Sequence, residues 1–331
     1  MPALSTRTLG RTGLSVSELG FGAMELRNTP HRHPRPVPNS VAADVLNTAL
    51  DLGITFIDTS IDYGDSEERI GRFIGHRRDE FVLATKAGCP VEHQPHATTA
   101  RLVHDYSPAN LREGVEQSLY RLRTDHIDLL QVHLAPAVEE LLRDDVAATL
   151  ESFRHEGKVR FLGVSSERPE LEGHLRLPWI DAVQLPYSAL EPELELDIAA
   201  LAGDDRGVIV RGGSAQGGAL RARGSAQVGL AARDLDLGDL LDGESVAGLL
   251  LRFTLSTPGV STVISGTADP GHLRANARAA QRGPLAVDVR NEIRRRYVIA
   301  AAKATTEAKA CRDMTAGWRS SRAPGPGSGS G

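Results

Sequence analysis

Short runs of Val, Ile, Leu and Phe that end on polar residues recur along this chain. They fall at Glu18–Ala23, Thr55–Asp58, Phe81–Lys86, Ile127–His133, Arg160–Val164, Ile180–Gln184, Gly207–Arg211 and Thr262–Ser265. Each is too short for a helix and too continuously apolar for a half-exposed strand, so each predicts a strand buried on both faces. Between them the apolar positions return with helical spacing at Ser40–Leu52, Ser66–Gly75, Pro108–Leu122, Val138–Glu156, Glu167–Leu175, Pro192–Ala202, Gly243–Leu255 and Pro270–Ala280. Ser40 reads as the cap of the first helix and Gly53 as its stop. Eight strands, each followed by a helix, predict an α/β fold of the (β/α)8 TIM-barrel kind. The alternative, a doubly wound open sheet, calls for a Gly-x-Gly-x-x-Gly turn after the first strand, and Gly20-Phe21-Gly22-Ala23-Met24 does not supply one. Ahead of the first unit, Thr6 to Glu18 alternates around Gly10-Arg11-Thr12-Gly13 and predicts a β-hairpin. After the last, Ala286–Ala310 predicts one extra helix.

Residues 1–310 therefore read as a single barrel domain. The tail 311–331 ends Ala-Pro-Gly-Pro-Gly-Ser-Gly-Ser-Gly, a composition that cannot pack, and disorder is expected there. Three connections are too long for plain turns: Glu25–Asn39, which holds the Pro- and His-rich stretch 27–38, Ala87–Ser107 and Gly212–Asp242. All three follow strands, so a barrel would place them on its catalytic face, as lids or as tolerated insertions.

Of the 331 residues 40% are hydrophobic, enough for a sizeable core. The net charge of −5 argues against a nucleic-acid partner, which would call for a basic stripe. No apolar run approaches the roughly 20 residues of a membrane span. The start Met1-Pro2-Ala3-Leu4-Ser5 lacks the layout of a signal peptide. Cys89 and Cys311 match no redox or metal motif. A cytoplasmic protein with no membrane contact is expected. His31, His33, His93, His96 and His104 lie in two loops without ligand spacing, so no metal site is expected.

Four polar residues sit at or just beyond strand ends, where an α/β barrel carries its chemistry: Asp58, Tyr63, Lys86 and His133. A phenol is a poor acid at neutral pH, and an adjacent ammonium would lower its pKa. Lys86 can play that part for Tyr63, with Asp58 holding the lysine charged and oriented. His133 can hydrogen-bond the same substrate oxygen. Two donors on one oxygen activate a carbonyl, and a hydride from a bound cofactor would supply the missing nucleophile. Taken singly, each residue has a plainer role: a turn Asp, a half-buried Tyr, a solvated Lys, a core His.

Phe56-Ile57-Asp58-Thr59, Tyr63-Gly64, Ser66-Glu67-Glu68, Lys86 and Asp128-Leu129-Leu130-Gln131-Val132-His133 together resemble the aldo-keto reductase family. Gly163-Val164-Ser165, Val183-Gln184-Leu185-Pro186-Tyr187 and Val263-Ile264-Ser265-Gly266-Thr267 with Asn276 continue the likeness in the family's order. The resemblance implies a (β/α)8 barrel that binds an extended nicotinamide cofactor without a Rossmann domain. It implies a catalytic tetrad of Asp58, Tyr63, Lys86 and His133, with Tyr63 as general acid in carbonyl reduction. Ser165 and Gln184 match the positions that hold the nicotinamide carboxamide. Ser166 stands where the family often has Asn, and Arg211 where many members place an aromatic ring. Ser265, Gly266, Thr267, His272 and Asn276 cover the adenosine end. Gly266 and His272 replace the Lys and Arg that many members set against the 2′-phosphate. NADPH is the implied cofactor, NADH its alternative, and a small carbonyl compound the implied substrate. Two rival readings are a nucleotide-binding, redox-sensing barrel without turnover and a metal-dependent hydrolase using His133 and Asp58. The hydrolase leaves Lys86 and Gln184 unexplained.

Overall fold

The computed structural model describes residues 3–27, 36–91, 104–134, 136–213 and 232–320. A hairpin, β1 (Thr6–Thr8) and β2 (Ser15–Ser17), precedes the strands β3 (Leu19–Gly22), β4 (Phe56–Asp58), β5 (Val82–Ala87), β6 (Ile127–Val132), β7 (Val159–Ser165), β8 (Ala182–Pro186), β9 (Gly207–Arg211) and β10 (Thr262–Ser265). The last eight pair in parallel and close on themselves, β10 returning to β3. The closed (β/α)8 barrel predicted from the alternating pattern is present. Outside it run α1 (Asn39–Asp51), α2 (Ser66–Phe73), α3 (Pro108–Leu122), α4 (Val138–Leu141), α5 (Asp144–His155), α6 (Leu171–His174), α7 (Glu195–Gly203), α8 (Val246–Leu255), α9 (Pro270–Gln281) and α10 (Val287–Ser320).

Several helix ends differ from expectation for local reasons. α1 starts one residue early, capped by the extended Pro38, and Ser40 lies inside it without capping. The single helix predicted over Val138–Glu156 breaks at Leu142 and Arg143, where Arg143 turns extended ahead of the Asp144-Asp145 start. Pro169 has no N–H to give a helix, so Glu167–Leu175 shrinks to the turn of α6. α10 contains no proline and continues past Ala310 to Ser320, through the first part of the segment expected to be disordered; 321–331 lie outside the described residues. So do most of the stretch 27–38 and parts of the other two long connections.

The strand period of two sorts the barrel interior into layers. Phe56, Ala84, Leu129, Ala182 and Ile209 form an apolar cluster with Leu9, Leu14 and Val16 of the hairpin, which plug the N-terminal mouth. Gly10, in the left-handed region at φ +49, lets the hairpin turn close on the barrel: a Cβ there would lie 2.3 Å from the Arg206 carbonyl carbon. Two residues further along the same strands come Asp58, Lys86, Gln131, Gln184 and Arg211. The parallel register sets Asp58 beside Ala84, Lys86 beside Gln131 and Ser165 beside Gln184. With one mouth filled by leucines, the polar layer can meet ligands only at the C-terminal mouth.

Candidate active site

Lys86 is fully buried, and its Nζ donates to Asp58 Oδ1 at 2.5 Å and to the Thr59 carbonyl at 3.0 Å. Gln131 Nε2 and Gln184 Nε2 donate to the same Asp58 oxygen at 2.8 and 2.9 Å. An ion pair taken out of water is tolerable only when its remaining polar atoms are bonded. The two amides and the Thr59 carbonyl meet that need here. Gln131 is a site residue the sequence reading passed over. Its signal was a lone amide in the apolar run Ile127–Val132.

Tyr63 and His133 come from loops rather than strands. Tyr63 lies in a turn closed by its own N–H to Ser60 O (3.1 Å) and by Ser66 N–H to Tyr63 O (3.0 Å), with Gly64 at φ +52. The Ser66 hydroxyl ties that turn to the Ala23 carbonyl at 3.0 Å. His133 is anchored through both backbone groups: its N–H donates to Ala87 O at 3.0 Å, and its carbonyl accepts the Tyr106 hydroxyl at 2.5 Å. Gly88, at φ +89, makes room for that tyrosine, since a Cβ there would sit 2.2 Å from the Tyr106 ring. The Tyr63 and His133 rings stand edge to face, centroids 6.2 Å apart. The structure thus brings together all four residues singled out at strand ends.

The electrostatics differ in one respect from expectation. Tyr63 lies well above the usual phenol value, through burial first and then the carboxylates of Asp58 and Asp62; Arg211 is the cation that works against the rise. Lys86 is committed to Asp58 and Thr59 O, so the ligand-free phenol is not acidified and keeps its proton. His133 is held down to about 3, chiefly by burial, with Lys86, His104 and Arg211 adding to it against Asp62. It is a neutral imidazole at physiological pH. Cys89 lies beside it, Sγ 3.2 Å from His133 Nδ1, with its thiol raised well above its ordinary value by burial and by Asp62.

The residues matched to cofactor positions spread over one rim. The Ser165 hydroxyl meets Gln184 Oε1 at 3.4 Å, at the long edge of hydrogen bonding, so neither group is saturated. Ser166 is buried and its Oγ lies 2.7 Å from His174 Nδ1. Arg211 pairs with Glu167 at 2.9 Å. At the far end, Asn276 Nδ2 donates to Ser265 Oγ at 2.8 Å, and Thr267 Oγ1 accepts from Asp269 N–H at 3.0 Å. Gly266 and His272 are exposed. α9 opens at this point, capped by Asp269, and Arg274 in its second turn reaches Thr48 Oγ1 at 3.3 Å.

Comparison with known proteins bears on the fold and the family. Residues 18–297 match the model of the aldo/keto reductase family. The holo form of the aldo-keto reductase AKR11C1 from Bacillus halodurans superposes with a TM-score of 0.75 and 28% identity, over 88% of this chain and 96% of that one. A Schizosaccharomyces pombe protein, "Aldo-keto reductase yakc [NADP(+)]", is 32% identical over 200 residues, 58% of this chain and 55% of its own length. The "NADH-specific methylglyoxal reductase" of Escherichia coli is 27% identical over 214 residues, 61% of this chain and 64% of its own length. No helix among the described residues is long and apolar enough to cross a membrane. The chain belongs to the aldo/keto reductase family and is an NAD(P)H-dependent oxidoreductase.

Proposed function

We propose that this protein reduces a small aldehyde or ketone to an alcohol, with Tyr63 delivering the proton. The observation that carries this reading is the meeting, at one barrel mouth, of the buried Lys86–Asp58 pair with Tyr63 and His133. The unsaturated Ser165 hydroxyl and Gln184 amide, with Asn276 at the opposite end of the rim, fit a nicotinamide dinucleotide. Such a cofactor, when bound, supplies the hydride that adds to the carbonyl carbon. Asp58 neutralises Lys86 so that an ammonium can be kept in the barrel. Tyr63 retains its proton at neutral pH and passes it on only as charge develops on the substrate oxygen. His133, a neutral imidazole, donates its single ring N–H to the same oxygen and fixes its position. NADPH is the favoured reductant and NADH its alternative. The two named relatives differ in this, and Arg274 is the one Lys or Arg from Ser265 to Asn276.

Tyr63→Phe tests the assignment. The variant is expected to bind NADPH as the parent does and to lose at least about a hundredfold in carbonyl-dependent NADPH oxidation. Turnover at the parental rate would refute the role of the phenol. A second reading, a nucleotide sensor without significant turnover, draws on Arg211 and Ser166, whose side chains are engaged by Glu167 and His174. Quenching of tryptophan fluorescence by NADPH, with no oxidation across a panel of aldehydes, ketones and quinones, would favour it.

A further inference from the structure

The loops after β4 and β5 converge, at the barrel mouth, on one nitrogen of His133. Its Nδ1 lies 3.2 Å from Cys89 Sγ, 3.2 Å from His104 Nε2 and 3.8 Å from Asp62 Oδ1. The ligand atoms of all four residues lie within 4.8 Å of one another. A ring nitrogen carries either one hydrogen or one lone pair, so a single hydrogen bond satisfies it. Three polar neighbours exceed what hydrogen bonding to that atom explains. A tetrahedral cation with bonds of about 2.0–2.3 Å sets its ligands about 3.3–3.6 Å apart, close to the spacing seen.

We propose that Asp62, Cys89, His104 and His133 form a binding site for a thiophilic divalent cation of the zinc class. Two imidazoles, a thiolate and a carboxylate are a borderline-soft set that suits zinc and disfavours magnesium or calcium, which take oxygen ligands. The thiolate and carboxylate charges balance the two charges of the ion, and the thiol proton leaves to solvent on binding. The surroundings resemble an outer shell that orients ligands: the Ser60 hydroxyl donates to Asp62 Oδ1 at 2.5 Å and lies 3.3 Å from Cys89 Sγ, and Tyr106 fixes the His133 backbone. Cys89 and His133 are buried, whereas Asp62 and His104 are partly exposed and form the entry side. The sequence hides the site because no short ligand spacing joins the loops after β4, β5 and β6; His104 itself reads there as a solvated loop histidine. The ion would hold Nδ1 of the residue proposed to donate to substrate, so occupancy and turnover are coupled. The test reads binding alone and does not depend on the reductase reading.

Full-length protein stripped with a chelator is titrated with Co2+, and Zn2+ is then used to displace it. The expected result is one cobalt per chain with strong tetrahedral visible bands and a thiolate-to-cobalt charge-transfer band, all lost on displacement by zinc. Cys89→Ser should abolish the charge-transfer band and weaken zinc at least about tenfold, the low end even for outer-shell losses. His104→Ala, a change in a partly exposed loop, should weaken zinc by a similar factor while keeping the band. Cys311→Ser should leave both readings unchanged. Circular dichroism checks that each variant is folded. Weak octahedral bands only, a charge-transfer band that survives Cys89→Ser, or unchanged zinc affinity in the folded His104→Ala variant would overturn the proposal.

Discussion

The lower and upper layers of the barrel interior use the same strands and differ by two residues along each. Below, Phe56, Ala84, Leu129, Ala182 and Ile209 pack on the hairpin leucines. Above, Asp58, Lys86, Gln131 and Gln184 build a charged hydrogen-bonded network in equal seclusion from water. The lower layer gains free energy simply by leaving water. The upper layer must recover the desolvation of two charges through contacts with fixed geometry, so removing one charge there leaves its partner buried and unpaired.

Substitutions in the two layers should separate these roles. Lys86→Met is expected to have the largest effect. It leaves the Asp58 carboxylate buried without its counter-charge, so stability falls by about 3–5 kcal/mol and carbonyl-dependent oxidation of NADPH disappears. Phe56→Ala in the lower layer should cost a comparable amount, about 3–5 kcal/mol in urea denaturation, yet leave turnover per folded molecule unchanged. Loss of turnover in that variant would erase the distinction between the layers. Gln131→Leu should cost much less. It removes one donor to Asp58, worth about 1.5–3 kcal/mol, and also removes Gln131 Oε1, a buried acceptor without a partner among the described residues, which offsets about 1–3 kcal/mol. A net change within about 1 kcal/mol by urea denaturation is expected.

The smallest effect concerns Glu67, buried just outside the barrel wall. Its Oε1 accepts from Thr85 and Ser118 at 2.7 and 2.8 Å, and Arg121 stands 3.7 Å from Oε2. Burial raises its pKa above the ordinary 4.5 despite those partners. A carboxyl raised in the folded state binds more protons folded than unfolded. Its contribution to stability is therefore complete below about pH 4.5 and is lost as pH rises through the folded value. Glu67→Gln keeps the acceptor and lacks that loss. Urea midpoints should favour the variant more at about pH 8 than at about pH 4; a gap that stays constant with pH would contradict the direction of the shift.

Much of the fold was legible because it repeats. Gly207–Arg211 and Thr262–Ser265 have the predicted bounds, and the other barrel strands differ by two residues at most at either end. Buried parallel strands announce themselves as continuous apolar runs. Helix ends were harder. Ser40 has the right chemistry for a cap, but Pro38 already set the extended turn, and Arg143 split a helix whose apolar spacing continued unbroken. In the site, Asp58 and Lys86 were legible as charges ending apolar runs. Gln131 was not, since an uncharged amide in such a run gives a weaker signal.

Local sequence determined which residues would lie in strands and which face of each strand they would share, because side chains alternate with a period of two over any few residues. Tertiary structure alone decided the rest: that Gln131 and Gln184 share one oxygen of Asp58, that Arg211 is the cation opposing the rise at Tyr63, and that Cys89, His104 and Asp62 surround His133. Those relations depend on the register of a closed barrel and on where its loops descend. Distance through space and exclusion of water, which govern the sign of an electrostatic effect, are not properties of neighbours along the chain.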